Sequence, residues 1–154
     1  MAVSMMALFS VFLQKSPFYP IEVIASAVLG EHTLDGIQGR TIVVGLLIHQ
    51  LGLSLIWGAV FGLLVWAGKP RASGTLLLFG LLVGALAQVV DVYVVIPLLS
   101  GAWAGKLPVL EPLQGANLWA AHVPGAVSWL GHLAFGVALS VYPWKYDPIA
   151  RTFD

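Results

Sequence analysis

TIVVGLLIHQLGLSLIWGAVFGLLVWA, residues 41–67, is the stretch of sequence that decides the fold. Its 27 residues carry no formal charge. Because an α-helix rises about 1.5 Å per residue, this stretch is long enough to cross a hydrocarbon core about 30 Å thick. It also contains His49 and Gln50, whose polar side chains find no water inside a bilayer. The stretch therefore predicts a membrane-spanning helix that needs protein neighbours around its polar pair.

The composition of the whole chain agrees with a membrane protein. Hydrophobic residues make up 59% of the 154 residues and charged residues only 9%, whereas soluble domains carry about 25% charged residues. Seven Lys and Arg residues balance seven Asp and Glu residues, so nothing favours a nucleic-acid partner. The chain has no cysteine, which excludes disulfides and thiolate metal ligands.

The other apolar segments complete the expected architecture. We predict an all-α integral membrane protein with a single membrane domain over residues 1–154, built as a four-transmembrane-helix bundle. The first helix is short, because its apolar run holds about 12 residues where a spanning helix needs about 17. A helix lying at the membrane interface is predicted over residues 21–30, in the first outer connection. The four transmembrane helices are expected at about 2–14, 41–67, 75–99 and 123–141.

The basic residues predict the orientation of these helices. Four Lys and Arg residues fall on one side of the bundle and three on the other, and the side with more basic residues is normally cytoplasmic. Both termini are then cytoplasmic, in a bacterial-type inner (cytoplasmic) membrane. The two sets are Lys69, Arg71, Lys145 and Arg151 on the cytoplasmic side, and Lys15, Arg40 and Lys106 on the other.

Small residues mark the faces on which the helices are expected to pack, since glycine lets two helix backbones approach closely. In the third helix, two glycines share one stripe with Gln88 and Asp91. In the second helix, glycines occur on two opposite sides, which predicts neighbours on both sides and a central place in the bundle. The predicted packing residues are Gly45, Gly52, Gly58, Gly62, Gly80 and Gly84.

Polar side chains on three different helices are expected to meet. On the helical rise, His49, Asp91 and His132 all lie about 12–15 Å from the outer boundary of the membrane. Gln50 and Gln88 lie at nearly the same depth. Ionisable groups at such depth are costly and normally face the interior of a bundle. These five residues form the predicted intramembrane polar cluster.

Three interpretations of the cluster remain open. In the first, Asp91 forms a hydrogen bond with a histidine and the cluster only holds the helices together. In the second, His49 and His132 are axial ligands of a b-type haem, or one of them binds the magnesium of a chlorophyll-type pigment. In the third, Asp91 relays protons or ions through a small transporter.

The sequence contains no pattern typical of an enzyme. Ser54 and Ser128 lie in apolar helical segments without the turn that exposes a nucleophile. His32 and His122 lie in the outer connections at a spacing that indicates no metal site, so we expect them to be solvated loop residues. We therefore predict no catalytic residue, no metal and no enzymatic activity.

Three short segments resemble the YagU-like family of small inner-membrane proteins. They are HQLGLSLIWGAVFG at residues 49–62, LVGALAQ at residues 82–88 ahead of a proline-ended helix, and Gly-His-Leu at residues 131–133. The amino-terminal part is shorter than is usual in that family. The resemblance implies four helices with a histidine in the second and the fourth, and it implies no reaction.

The favoured expectation is a non-catalytic accessory subunit of a larger, bioenergetic membrane complex. The glycine-rich helix faces and the aromatic outer connections suit contact with other integral membrane subunits and with bound lipids. A haem- or chlorophyll-binding subunit is the first alternative, through His49 and His132. A small proton- or ion-coupled transporter is the second, through Asp91.

Overall fold

The fold is all-helical in the part of the chain that the structure describes. This structure is a computed structural model and describes residues 14–70, 72–103 and 118–146. The predicted all-α class is confirmed for these ranges, whereas the helix expected over residues 2–14 lies outside them except for Gln14. A single 3₁₀ turn, Glu31–Leu34, follows the first described helix. The helices are α1 (Tyr19–Leu29), α2 (Gly39–Gly68), α3 (residues 73–103), α4 (Leu118–His122) and α5 (Gly125–Tyr146).

Two helices are long and apolar enough to cross a membrane. They are α2 over Gly39–Gly68 and α3 over Ser73–Ser100, which contain the segments predicted at 41–67 and 75–99. The helix predicted at 123–141 is observed as α5, whose apolar part, Gly125–Val141, is shorter than those of α2 and α3. Length and composition thus single out two candidate spans.

Both long helices contain a wide turn in which N–H groups bond to the carbonyl five residues earlier. In α2 this π turn covers Leu47–Leu53, and in α3 it covers Asp91–Val95. Pro97 accounts for the second, because its ring clashes with the carbonyl four residues before it in a regular α-helix. The residues of the predicted polar cluster in both helices fall in or next to these turns.

The closest contact between helices joins α3 to α5. A Cβ atom built on Gly80 would collide with the carbonyl oxygen of Gly136, and one built on Gly136 would collide with the carbonyl oxygen of Gly80. One turn further along α3, a Cβ on Gly84 would collide with the carbonyl oxygen of His132. Gly80 and Gly84 therefore lie at a helix crossing that only glycine permits.

The helix α1 is covered by other helices, whereas the sequence predicted a helix lying free at the membrane interface. Residues 20–27 are all buried, including Glu22, which is 3% exposed. A surface helix would keep one face in contact with water. Instead α1 packs on α2, where a Cβ on Gly45 would collide with the carbonyl oxygen of Ile21, and on the end of α3 and α4.

Among the described residues, α3 is more central than α2, because it contacts α1, α2, α4 and α5. In the most apolar 18-residue window of each helix, 44% of α3 is buried but only 17% of α2. A Cβ atom built on Gly52, Gly58 or Gly62 would meet no described atom within 4 Å. Of the glycines predicted to pack in α2, only Gly45 does so within the described chain.

Candidate functional site

The predicted polar cluster is divided into two hydrogen-bonded groups and one histidine. It lies where α2, α3 and α5 are adjacent, in and beside the two π turns. Gln88 and Asp91 are buried, whereas His49, Gln50 and His132 are half-buried. Their partners decide what each residue can do.

The carboxyl group of Asp91 is held by the indole of Trp57. Nε1 of Trp57 lies 2.9 Å from Oδ1 and 3.0 Å from Oδ2, so one N–H of α2 is shared by both carboxyl oxygens of α3. The first interpretation of the cluster expected a histidine as the partner of Asp91, and that prediction was wrong. Trp57 lies two turns beyond His49 on α2, so its indole reaches α3 where the imidazole was expected to.

A second group joins α3, α4 and α5. Nε1 of Trp119 donates to Oγ of Ser128 at 2.7 Å, and that hydroxyl donates to Oε1 of Gln88 at 2.6 Å. All three side chains are buried. The hydroxyl of Ser128 both accepts and donates. The three buried side chains of this hydrogen-bonded group are therefore linked to one another, as a low-dielectric interior requires.

The orientation of His132 follows from its backbone contact. Its Nδ1 lies 2.9 Å from the carbonyl oxygen of Ser128, one helical turn earlier. A carbonyl can only accept, so Nδ1 carries the proton and Nε2 keeps its lone pair. A histidine fixed in this way is ready to accept a hydrogen bond or to bind a metal centre through Nε2.

His49 is the member of the cluster with an unpaired buried atom. Its Nδ1 is buried and has no hydrogen-bond partner among the described residues. It lies within electrostatic range of His132, so the structure brings the two predicted histidines into one region. Gln50 follows it in the same π turn.

A further polar contact joins the beginning of α1 to the end of α4. It involves His122, which the sequence predicted to be a solvated loop residue. The hydroxyl of Tyr19 lies 3.1 Å from Nδ1 of His122, and Nζ of Lys15 lies 5.3 Å from the centre of the tyrosine ring. Burial raises the pKa of Tyr19, and the negative charge of Glu22 raises it further. His122 is therefore part of the packing between α1 and α4.

Three residues that complete the site were not predicted: Trp57, Trp119 and Ser128. Helical spacing could have identified two of them. Ser128 lies four residues before His132 and Trp57 lies eight residues after His49, so each shares a helix face with a predicted residue. Only the fold could show that Trp119, in the outer connection, returns to Ser128.

The chemistry available at this site is hydrogen bonding and ligation by imidazole. Within residues 14–70, 72–103 and 118–146, no group of three His, Asp or Glu side chains is placed to hold a metal ion. The chain matches no protein-family model, no curated protein and no solved structure. A role for the cluster therefore has to come from the contacts described above.

Proposed function

We propose that this chain is an integral membrane protein that acts as a non-catalytic accessory subunit of a larger membrane assembly, of the bioenergetic kind. The observation that carries the proposal is the uncovered side of α2. This helix is long enough to span, yet the described chain covers little of it beyond Thr41, Gly45, Trp57 and Phe61.

The composition of that side favours a partner helix in addition to lipid. Gly58 and Gly62 lie one turn apart, and a Cβ atom at either would meet no atom of the described residues within 4 Å. In a lipid-facing surface, glycine contributes neither apolar area nor helix stability, whereas at a helix–helix contact it allows close approach. Large apolar side chains flank the pair, including Leu55 and Trp66, which is 75% exposed.

The rest of the bundle is suited to hold α2 in place. Trp57 ties it to Asp91, and Phe61 packs into the core between α2 and α3. An accessory subunit needs such a fixed surface, because ordering a loose helix during assembly would weaken binding. In this proposal α2 presents its free side to another integral membrane subunit, and lipids fill the remaining surface.

The test uses the pair of glycines. Gly58→Ile and Gly62→Ile should leave the fold intact and remove the copurifying subunit when the protein is extracted in mild detergent. Leu63→Ala, on another side of α2, is the matched control and should retain the subunit. A monodisperse monomer from the unmodified protein, with no copurifying subunit, would contradict the proposal.

A second candidate function is the binding of haem b or a chlorophyll-type pigment. The observation that favours it is the fixed tautomer of His132, whose Nε2 is free to bind a metal centre, close to the unpaired His49. Bound there, such a group would supply electron transfer or light absorption. An absorption band that is lost in His132→Ala and in His49→Ala would establish it, and a colourless preparation would reject it.

The third expectation, a transporter that depends on Asp91, gains no support from the contacts of that residue. Both of its carboxyl oxygens are within hydrogen-bonding distance of Trp57. Asp91→Asn in proteoliposomes is the experiment for it: a pH-dependent flux that is abolished by this change would restore the role.

A further inference from the structure

Glu22 shares with Thr41 and His49 a buried side-chain atom that has no hydrogen-bond partner among the described residues, and it is the carboxyl group of the three. It is 3% exposed, and its Oε1 is buried without a hydrogen-bond partner among the described residues. Asp91 provides the comparison within the same molecule, because both of its oxygens are close to an indole N–H. The buried carboxyl group of Asp91 thus has a hydrogen-bond donor, whereas the buried Oε1 of Glu22 has none among the described residues.

An isolated carboxylate in an apolar interior is costly. Glu22 lies between residues with no polar side chain, Ile21 and Val23, in a core that includes Val92 and Ile96 of α3. A carboxylate in such a place has to be neutralised by a cation, and the smallest is a proton. In agreement with this, burial raises the pKa of Glu22 above its usual value of 4.5.

Glu22 lies near an edge of the described chain that is partly exposed to water. It lies in the first turn of α1, three residues after Tyr19, which is half-buried and within electrostatic range of it. Tyr19 contacts the half-buried His122 and lies beside the exposed Lys15. A proton that enters at this edge has three residues of helix, about 4.5 Å along the axis, to travel to the carboxyl group.

We propose that Glu22 is a proton-binding site inside the bundle, reached from the edge formed by Tyr19 and His122. The bound form is the neutral carboxylic acid, and release of the proton returns the carboxylate. The site goes beyond the accessory function proposed above, and it lies on α1, away from the aspartate that the sequence suggested. The other titratable groups on elements packed against α1 are Glu31 and His32 in the 3₁₀ turn, Arg40 and His49 on α2, Asp91 and Tyr93 on α3 and His122 on α4.

Dicyclohexylcarbodiimide tests the proposal on the whole protein in detergent or proteoliposomes. This reagent reacts with protonated carboxyl groups in apolar surroundings, and peptide mass spectrometry locates the adduct. We expect an adduct at Glu22 that decreases as the pH rises. Glu22→Gln should lose this adduct, whereas Glu31→Gln, which changes an exposed residue of the neighbouring turn, should keep it at Glu22.

The remaining outcomes overturn the proposal. No adduct at Glu22 at any pH would mean that another group holds the carboxylate ionised. An adduct at Asp91 and none at Glu22 would place the protonated carboxyl on α3. Protection of Glu22 by sodium chloride, but not by choline chloride of the same concentration, would mean that the bound cation is sodium. Because labelling is read on the unmodified chain, a variant that fails to fold does not affect the result.

Discussion

The indole Nε1 of Trp57 lies 2.9 Å from Oδ1 and 3.0 Å from Oδ2 of Asp91, and this contact joins the two long apolar helices through their polar side chains. It explains how α3 accommodates a buried carboxyl group. It also fixes how far α2 is displaced along its axis relative to α3, because the indole N–H of Trp57 can reach only a carboxyl group at the same height in the bundle. The contact thus contributes to helix register as well as to stability.

Replacing the donor should measure that contribution. Trp57→Phe keeps an aromatic ring in the core and removes the N–H, so we expect the free energy of unfolding to fall by about 0.5–2 kcal/mol. Denaturant unfolding in detergent gives the value. In an Asp91→Leu background the same change should cost less, and an equal cost in both backgrounds would mean that the hydrogen bond contributes nothing.

The crossing of α3 and α5 should tolerate no side chain. Gly80→Ala places a Cβ against the carbonyl oxygen of Gly136, and backbone cannot give way as a side chain can. We expect a loss of about 1–3 kcal/mol or more, seen as a lower melting temperature and a smaller folded yield. Gly58→Ala is the control, because a Cβ there meets no described atom within 4 Å. Equal melting temperatures for both variants would contradict the observed crossing.

The hydroxyl of Ser128 should matter more than its size suggests. Ser128→Ala leaves the N–H of Trp119 and the amide oxygen of Gln88 without their partner, and each buried unpaired group costs about 1–3 kcal/mol. Thermal unfolding should therefore begin at a clearly lower temperature. Ser54→Ala, which removes a half-buried hydroxyl from α2, should have little effect. Similar shifts for the two serines would show that the three-residue chain is not formed.

Glu22 should make stability depend on pH. Its pKa is raised in the folded protein, so the folded state holds the proton more tightly than the unfolded state does. The free energy of unfolding should then fall as the pH rises from about 4.5 through the raised pKa, and it should level off above it. Glu22→Gln should remove this fall, and melting curves of both proteins across that range test it. Parallel curves would show that Glu22 ionises without cost.

Local patterns were enough to predict the helices and one of their packing faces. Long apolar runs are visible in the sequence itself, and the period of a helix places Gly80, Gly84, Gln88 and Asp91 on one stripe. The structure puts the first three at the contact between α3 and α5, whereas Asp91 contacts Trp57 of α2. No tertiary information is needed for such a prediction, because residues four apart on a helix share a face.

Partners from other helices could not be predicted in the same way. Depth along the helix brought His49 and Asp91 to one level, but depth says nothing about the direction in which each side chain points. The indole of Trp57 occupies the place that the imidazole was expected to take. Likewise, the short helix α1 has the length of a surface helix, and only its neighbours show that Glu22 is enclosed.

The π turn at Asp91–Val95 has a consequence for changes in chain length. A turn closed from residue 91 to residue 96 holds one residue more than an α-helical turn. Deleting one residue there would convert it to regular helix, and both halves of α3 would keep their present faces. The same deletion near Gly84 would rotate everything beyond it by about 100° and separate Gln88 from Ser128. A single-residue deletion in the wide turn should therefore preserve the packing faces of α3, and its cost should be that of placing Pro97 in a regular α-helical turn.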